Sequence, residues 1–362
     1  MSALENLMMM LNREEPIKIP VLAYDFLRVG SQGGIYRRLK KRGLCIVRFI
    51  PTYKPTFRGM NFMLEDVKHT RVRYLENGIN KYREIFDTPI GSITCLMRLN
   101  PVSDEDPPLS WGAYEEHFVK NRSDWRVLSY IFKGMADQLV PNYKAFEREQ
   151  DELGDEGICF GFVGKTPFQR AWVEMADLET AVVDFEEKPE ELLEFIEVQR
   201  FLHERQAEIT GNSPAKFILV VDHITTTISP KYYKEYCIPY WQMYANAIKG
   251  SGKVLGAHHD GQFGHLKKEI ADSPLDVIES FTVPPGGDVS LTEAKKLWPD
   301  KMLFVNTPPH IAQSPIEEVR EAYEQILTEW GQKRGLLIEH SEDIPMDKLE
   351  MNLSTALDVC GY

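Results

Sequence analysis

The chain has 362 residues, 43% of them apolar, with a formal charge of −13 at pH 7 and a pI near 5.3. That length buries a full core and suits either one large α/β barrel or two ordinary domains, while the acidic balance argues against a nucleic-acid or anionic-membrane surface. Five cysteines (Cys45, Cys95, Cys159, Cys237, Cys360) with no CxxC pair point to a reducing, cytoplasmic setting without a disulfide framework, and no apolar run approaches the roughly 20 residues of a membrane helix.

At the amino terminus, residues 1–13 are amphipathic but carry Glu5 early and no basic region, which predicts a docking helix in an N-terminal extension over 1–18 rather than a signal peptide. From residue 19 onward, short β-branched runs alternate with longer amphipathic segments. Strands are expected at 19–24, 44–50, 157–163, 216–222, 253–258, 276–281, 302–306 and 335–340, and helices at 169–175, 230–248, 263–270, 291–297, 314–330 and 346–359. Strands that are apolar throughout belong to a covered parallel sheet, and eight of them predict an α/β fold of the closed (β/α)8 TIM barrel type over 19–362. One stretch breaks the alternation, an insertion at about 54–155. Within it, 71–78 and 81–94 read as an antiparallel ribbon turning at Glu76-Asn77-Gly78, followed by helical spacing over 124–139 and 142–153.

The carboxyl ends of barrel strands face one mouth, where the active site is built. Here the strand ends carry Asp222-His223, His258-His259-Asp260, Glu279-Ser280, Asn306-Thr307 and Glu339-His340-Ser341-Glu342, which places the chemistry at that mouth. A catalytic metal needs three protein ligands and an open position, and Asp222, Cys237 and His258 supply oxygen, sulfur and nitrogen. Plainer readings stand beside these: Cys237 as a small buried hydrophobe, His258 as a core histidine bonded to a carbonyl, Asp222 as a helix cap. Asp260 and Glu342 are candidate acid/base groups or oxygen ligands, and His223, His259, Asn306 and His340 are candidate substrate contacts, with His259 and His340 also suited to orienting a metal ligand. Tyr232, Tyr233, Tyr236, Tyr240 and Trp241 fit either a flat-substrate pocket or, at helical spacing, the core. Phosphate-loop, Rossmann, GxSxG and HExxH patterns are absent, which removes support for nucleotide-dependent, serine-hydrolase and zincin mechanisms.

Four segments carry a family resemblance: Phe86-Asp-Thr-Pro-Ile-Gly91, Ile228-Ser-Pro-Lys-Tyr-Tyr-Lys-Glu-Tyr-Cys-Ile-Pro-Tyr240, 253–266, and Gly335-Leu-Leu-Ile-Glu-His-Ser-Glu-Asp-Ile-Pro345. Over about residues 84–362 the chain is similar to the uroporphyrinogen decarboxylase superfamily, and within it to the corrinoid-dependent methyltransferases. The resemblance implies a (β/α)8 barrel and, in the methyltransferase branch, zinc opposite a corrinoid. Coenzyme-M-type members carry His-x-Cys where this chain has His258-His259-Asp260, and a late cysteine where it has Glu342, so carboxylates replace both cysteines. O-demethylase members look like Glu-x14-Glu-x20-His, the spacing of Asp222-x14-Cys237-x20-His258. Decarboxylases that act on porphyrinogens carry an early Arg-Gln-Ala-Gly-Arg motif, for which Arg28-Val-Gly30 is a poor substitute.

What the resemblance implies is a zinc- and corrinoid-dependent methyltransferase in which Asp222, Cys237 and His258 hold zinc, and Glu342 or Asp260 manages the proton. Methyl would pass from a methoxylated small molecule to a corrinoid protein. Two alternatives stay open: a metal-independent decarboxylase or lyase using Asp222, Asp260 and Glu342, and a noncatalytic corrinoid- or tetrapyrrole-binding barrel. A homodimer is compatible with either.

Overall fold

A computed structural model describes residues 1–25, 34–57, 63–99, 112–341 and 344–362, which fall into two compact units. The first comprises 1–52, 143–163 and 214–362. Its strands are β1 (Val21–Tyr24), β2 (Cys45–Pro51), β3 (Gly157–Val163), β4 (Phe217–Ile224), β5 (Val254–His259), β6 (Val277–Thr282), β7 (Met302–Asn306) and β8 (Leu336–His340). All eight are parallel, each pairs with its neighbours in sequence, and β8 closes onto β1. The expected (β/α)8 barrel is therefore present, each strand starting and ending within two residues of its expected position.

Side chains alternate across a strand, so one set of every second residue fills the cylinder and the other meets the helices. The interior set is apolar through its lower layers: Leu22, Cys45, Val47, Ile158, Phe160, Phe217, Leu219, Val254, Val277, Met302, Phe304 and Leu337 form one buried cluster. Gly256 belongs to this set because a Cβ there would lie 2.7 Å from the Phe217 ring. The helix Ala3–Leu11 inserts Leu7, Met10 and Leu11 into the same cluster. Its start is fixed by a capping box, Glu5 N–H to Ser2 Oγ at 3.1 Å and Ser2 N–H to Glu5 Oε2 at 2.7 Å.

The expected helix 230–248 is interrupted at Cys237, giving Pro230–Tyr236 and Ile238–Ala247, because Pro239 has no N–H to continue the ladder. The five aromatics of this segment are all buried, so they serve the core.

The second unit comprises 53–142 and 164–213. Strands Lys68–Glu76, Ile79–Thr88, Gly91–Arg98 and Ala113–Glu116 form an antiparallel sheet. The expected hairpin turns at Asn77 and Gly78, both at positive φ (50° and 76°), as a type I′ turn demands. The single run expected over 81–94 folds back at Pro89-Ile90 into two strands. Helix Ser123–Asp137 packs on Glu190–Gly211 through Trp125 and Phe195, with ring centroids 4.9 Å apart. The boundary of about 54–155 is thus redrawn: helix Tyr143–Leu153 packs on β2 and β3, and 164–213 joins the second unit.

Candidate metal and acid site

Carrying the inward face of each strand two residues beyond the apolar cluster names the next layer. From Leu22 it reaches Tyr24, from Val277 Glu279, from Phe304 Asn306 and from Leu337 Glu339; from Leu219 and Val221 it reaches His223, and from Gly256 it reaches His258. The floor of the mouth is therefore polar.

These residues are bonded to one another. Tyr24 Oη contacts Glu279 Oε1 and lies 3.1 Å from Glu339 Oε2. Glu279 Oε2 is 2.6 Å from His258 Nδ1, and Glu339 Oε1 accepts the Ser280 N–H at 2.6 Å. Ser280 Oγ meets Asn306 Nδ2 at 3.4 Å and Ser341 Oγ at 3.5 Å. Both glutamates are fully buried. Ser280 has φ of 62° where the β6–β7 register shifts, a bulge that turns its backbone N–H toward Glu339. Burial, reinforced by the two carboxylates, holds the Tyr24 phenol well above its usual range, so it stays protonated.

Above this layer, single ligand-type atoms of His223, His258 and Asp260 all lie within 4.8 Å of one another. Among the described residues this is the group of three or more His, Cys, Asp or Glu so arranged. All three are partly exposed. The His223 and His258 rings are 6.0 Å apart and nearly parallel, and Asp260 Oδ1 accepts from Thr282 Oγ1 at 3.2 Å. The Glu279 carboxyl, 2.6 Å from His258 Nδ1, orients that imidazole ring.

The expected trio of Asp222, Cys237 and His258 is corrected by the same alternation. Asp222 is one residue out of phase with His223, and it points into the helical layer, where it accepts the Trp241 Nε1–H at 2.9 Å. Cys237 is wholly buried at the break between the two helices, as a small hydrophobe would be. His259 is out of phase with His258: its Nδ1–H donates to the Ala257 carbonyl at 3.0 Å and its Nε2 meets Tyr233 Oη at 3.1 Å. His340 likewise faces the helix Ile316–Trp330, with Nε2 3.4 Å from Tyr323 Oη. His259 and His340 are therefore core residues rather than substrate contacts. Of the expected site residues, His223, His258, Asp260 and Asn306 reach the mouth, and Glu342 lies outside the described residues. Tyr24, Glu279 and Glu339 are additional site residues, and their two-residue offset from the apolar cluster is the signal that marks them.

Asp222→Ala leaves the buried indole N–H without its acceptor and is expected to cost about 1–3 kcal/mol of stability with metal content unchanged; denaturant unfolding and elemental analysis together check both halves. Acid should act on the histidines sealed in the core. Burial pushes His203, His259 and His340 down to about 3, whereas the unfolded chain protonates histidine near 6.5. Below that pH the unfolded state binds more protons than the folded one, so stability is complete above about 6.5 and falls as pH drops toward 3. Melting temperature followed from pH 7 to pH 4 should show this decline, and His340→Phe should shallow it.

A family model described as uroporphyrinogen decarboxylase matches residues 112–361. The structure of a methyltransferase from Methanosarcina mazei aligns with a TM-score of 0.58 over 99% of this chain and 98% of that chain, at 12% identity, a likeness of fold. No curated protein matches the sequence. No described helix is long and apolar enough to cross a membrane.

Proposed function

This chain belongs to the uroporphyrinogen decarboxylase family, and from that premise we propose that it is a methyltransferase whose His223, His258 and Asp260 hold a zinc-type divalent ion. Its methyl donor is a small O-methylated molecule, and its acceptor is a corrinoid carried by another protein. The observation that carries the reading is the cluster of His223, His258 and Asp260 at the barrel mouth, with His258 anchored by Glu279.

The residues fit such an ion. Two imidazole nitrogens and a carboxylate oxygen are a donor set of catalytic zinc sites, which leave a further position open. A bound ion would supply Lewis-acid polarisation of the methyl-bearing oxygen. The chain supplies the rest: Glu279 orients His258, Thr282 steadies Asp260, and the layer of Tyr24, Glu279 and Glu339 seals the floor beneath them. The sequence resemblance to corrinoid-dependent methyltransferases, together with the fold shared with a solved methyltransferase, supports methyl transfer over other reactions.

A second reading is favoured by the buried Glu279, Tyr24 and Glu339, which resemble an acid/base relay of a metal-independent carboxy-lyase. Elemental analysis of the purified protein, with methyl transfer from methoxylated aromatics to cob(I)alamin followed by absorbance, separates the two. Near one equivalent of metal with methyl transfer supports the first. Full decarboxylation of a carboxylated substrate by metal-free protein would replace it with the second.

A further inference from the structure

The turn that carries the chain away from Asp260 is held by side chains of the neighbouring βα unit. Gly261 donates its N–H to Thr282 Oγ1 at 3.2 Å, and Phe263 and Gly264 both donate theirs to Asp288 Oδ1, at 3.0 and 2.8 Å. One carboxyl oxygen therefore receives two consecutive backbone donors, which fixes the direction of both peptide planes. Glycine at 264 permits that approach: a Cβ there would lie 2.8 Å from Asp288 Oδ2 and 3.0 Å from its Cγ. Asp288 itself stands on a firm base. Gly287 donates its N–H to the Val283 carbonyl at 3.0 Å, Val289 is buried, and Ser290 Oγ accepts the Glu293 N–H at 3.2 Å to start the helix Leu291–Leu297.

We propose that Asp288 is a positioning residue for Asp260, acting through the backbone of 261–264. Asp260 leads directly into this turn, and its Oδ1 lies 3.2 Å from Thr282 Oγ1, the same atom that receives the Gly261 N–H. Side chains of β6 and of the loop after it thus hold Asp260 twice: Thr282 at its carboxyl group, and Asp288 further along the turn. With the turn fixed, a carboxyl oxygen of Asp260 stays within 4.8 Å of the ligand-type nitrogens of His223 and His258. The Phe263 ring is buried against Phe281 and Trp298, with centroids 5.9 and 6.4 Å away. That side chain keeps the segment attached when Asp288 is removed, so loss of the acceptor loosens the turn without unfolding it.

The effect on an ion rests on the metal reading above, whereas the hold on the turn does not, so each is measured by itself. In metal-free protein, amide hydrogen exchange over residues 261–266 should quicken roughly tenfold or more in Asp288→Ala. Asp288→Asn, whose amide oxygen accepts the same two N–H groups, should stay within about threefold of the wild type. Zinc titrated against a chelating indicator should bind about tenfold more weakly to Asp288→Ala, the lower end of what a lost supporting contact costs a metal site, with melting within about 4 °C of the wild type. In an Asp260→Ala background, Asp288→Ala should leave the residual zinc affinity unchanged within about twofold, because the carboxyl group that it positions is gone; a merely structural contact would cost the same in both backgrounds. A wild type that binds no zinc yet shows this exchange pattern keeps Asp288 as the anchor of the Asp260 turn and removes the metal reading. The proposal is overturned by unchanged exchange in Asp288→Ala, by equal impairment in Asp288→Asn, by wild-type zinc affinity in Asp288→Ala, or by an equal loss of affinity with and without Asp260.

Discussion

His258→Ala is expected to strip the protein of bound metal and to lower kcat/KM for methyl transfer by roughly 1000-fold or more, the scale of several kcal/mol of Lewis-acid stabilisation. The reason lies in its position. His258 belongs both to the partly exposed group with His223 and Asp260 and to the buried layer through Glu279, so its removal would take away a proposed ligand and also leave Glu279 buried without its imidazole partner. His223→Ala and Asp260→Ala should each weaken metal retention without disturbing that layer, whereas Cys237→Ser should leave metal unchanged. Metal content after dialysis, with circular dichroism to verify the fold, is the measurement. If Cys237→Ser lost the ion and Asp260→Ala kept it, the trio of His223, His258 and Asp260 would be the wrong set of ligands.

Truncating Leu7 and Met10 together to alanine is expected to destabilise the protein by about 4–8 kcal/mol, from roughly 2–5 kcal/mol for each buried aliphatic side chain with some shortfall from additivity. Both lie within the buried cluster of the cylinder, at 0% and 1% exposure. A helix of nine residues is marginal by itself, so packing rather than propensity holds it there. The loss approaches the whole stability of an ordinary domain, and the double variant should be largely unfolded or aggregated at 37 °C. Denaturant unfolding of the single variant Leu7→Ala gives the quantitative check: a cost under about 1 kcal/mol would mean that this helix contributes little to the core.

The barrel was legible because each of its strands is a short apolar run bounded by amphipathic helix, a pattern that survives without any knowledge of contacts. Interruptions were less so. Cys237 sits where the helical period continues but Pro239 breaks the hydrogen-bond ladder, and the run over 81–94 retains strand composition across the turn at Pro89-Ile90. The second unit draws residues 53–142 and 164–213 together across a barrel strand, a pairing set by long-range contacts that local periodicity does not encode.

At the site, the sequence by itself determined that ligand-type side chains gather at the carboxyl ends of the strands, with His258 central among them. Which neighbour joins His258 was decided only by the tertiary structure. Asp222 and His223, His258 and His259, and Glu339 and His340 are adjacent pairs, and within each pair one side chain enters the cylinder while the other enters the helical layer. A strand covered on both faces is apolar throughout, so it carries no polar alternation by which to tell the two directions apart. Closing the sheet into a cylinder makes one direction the interior, and that closure places His223, His258, Glu279 and Glu339 together while turning Asp222, His259 and His340 away.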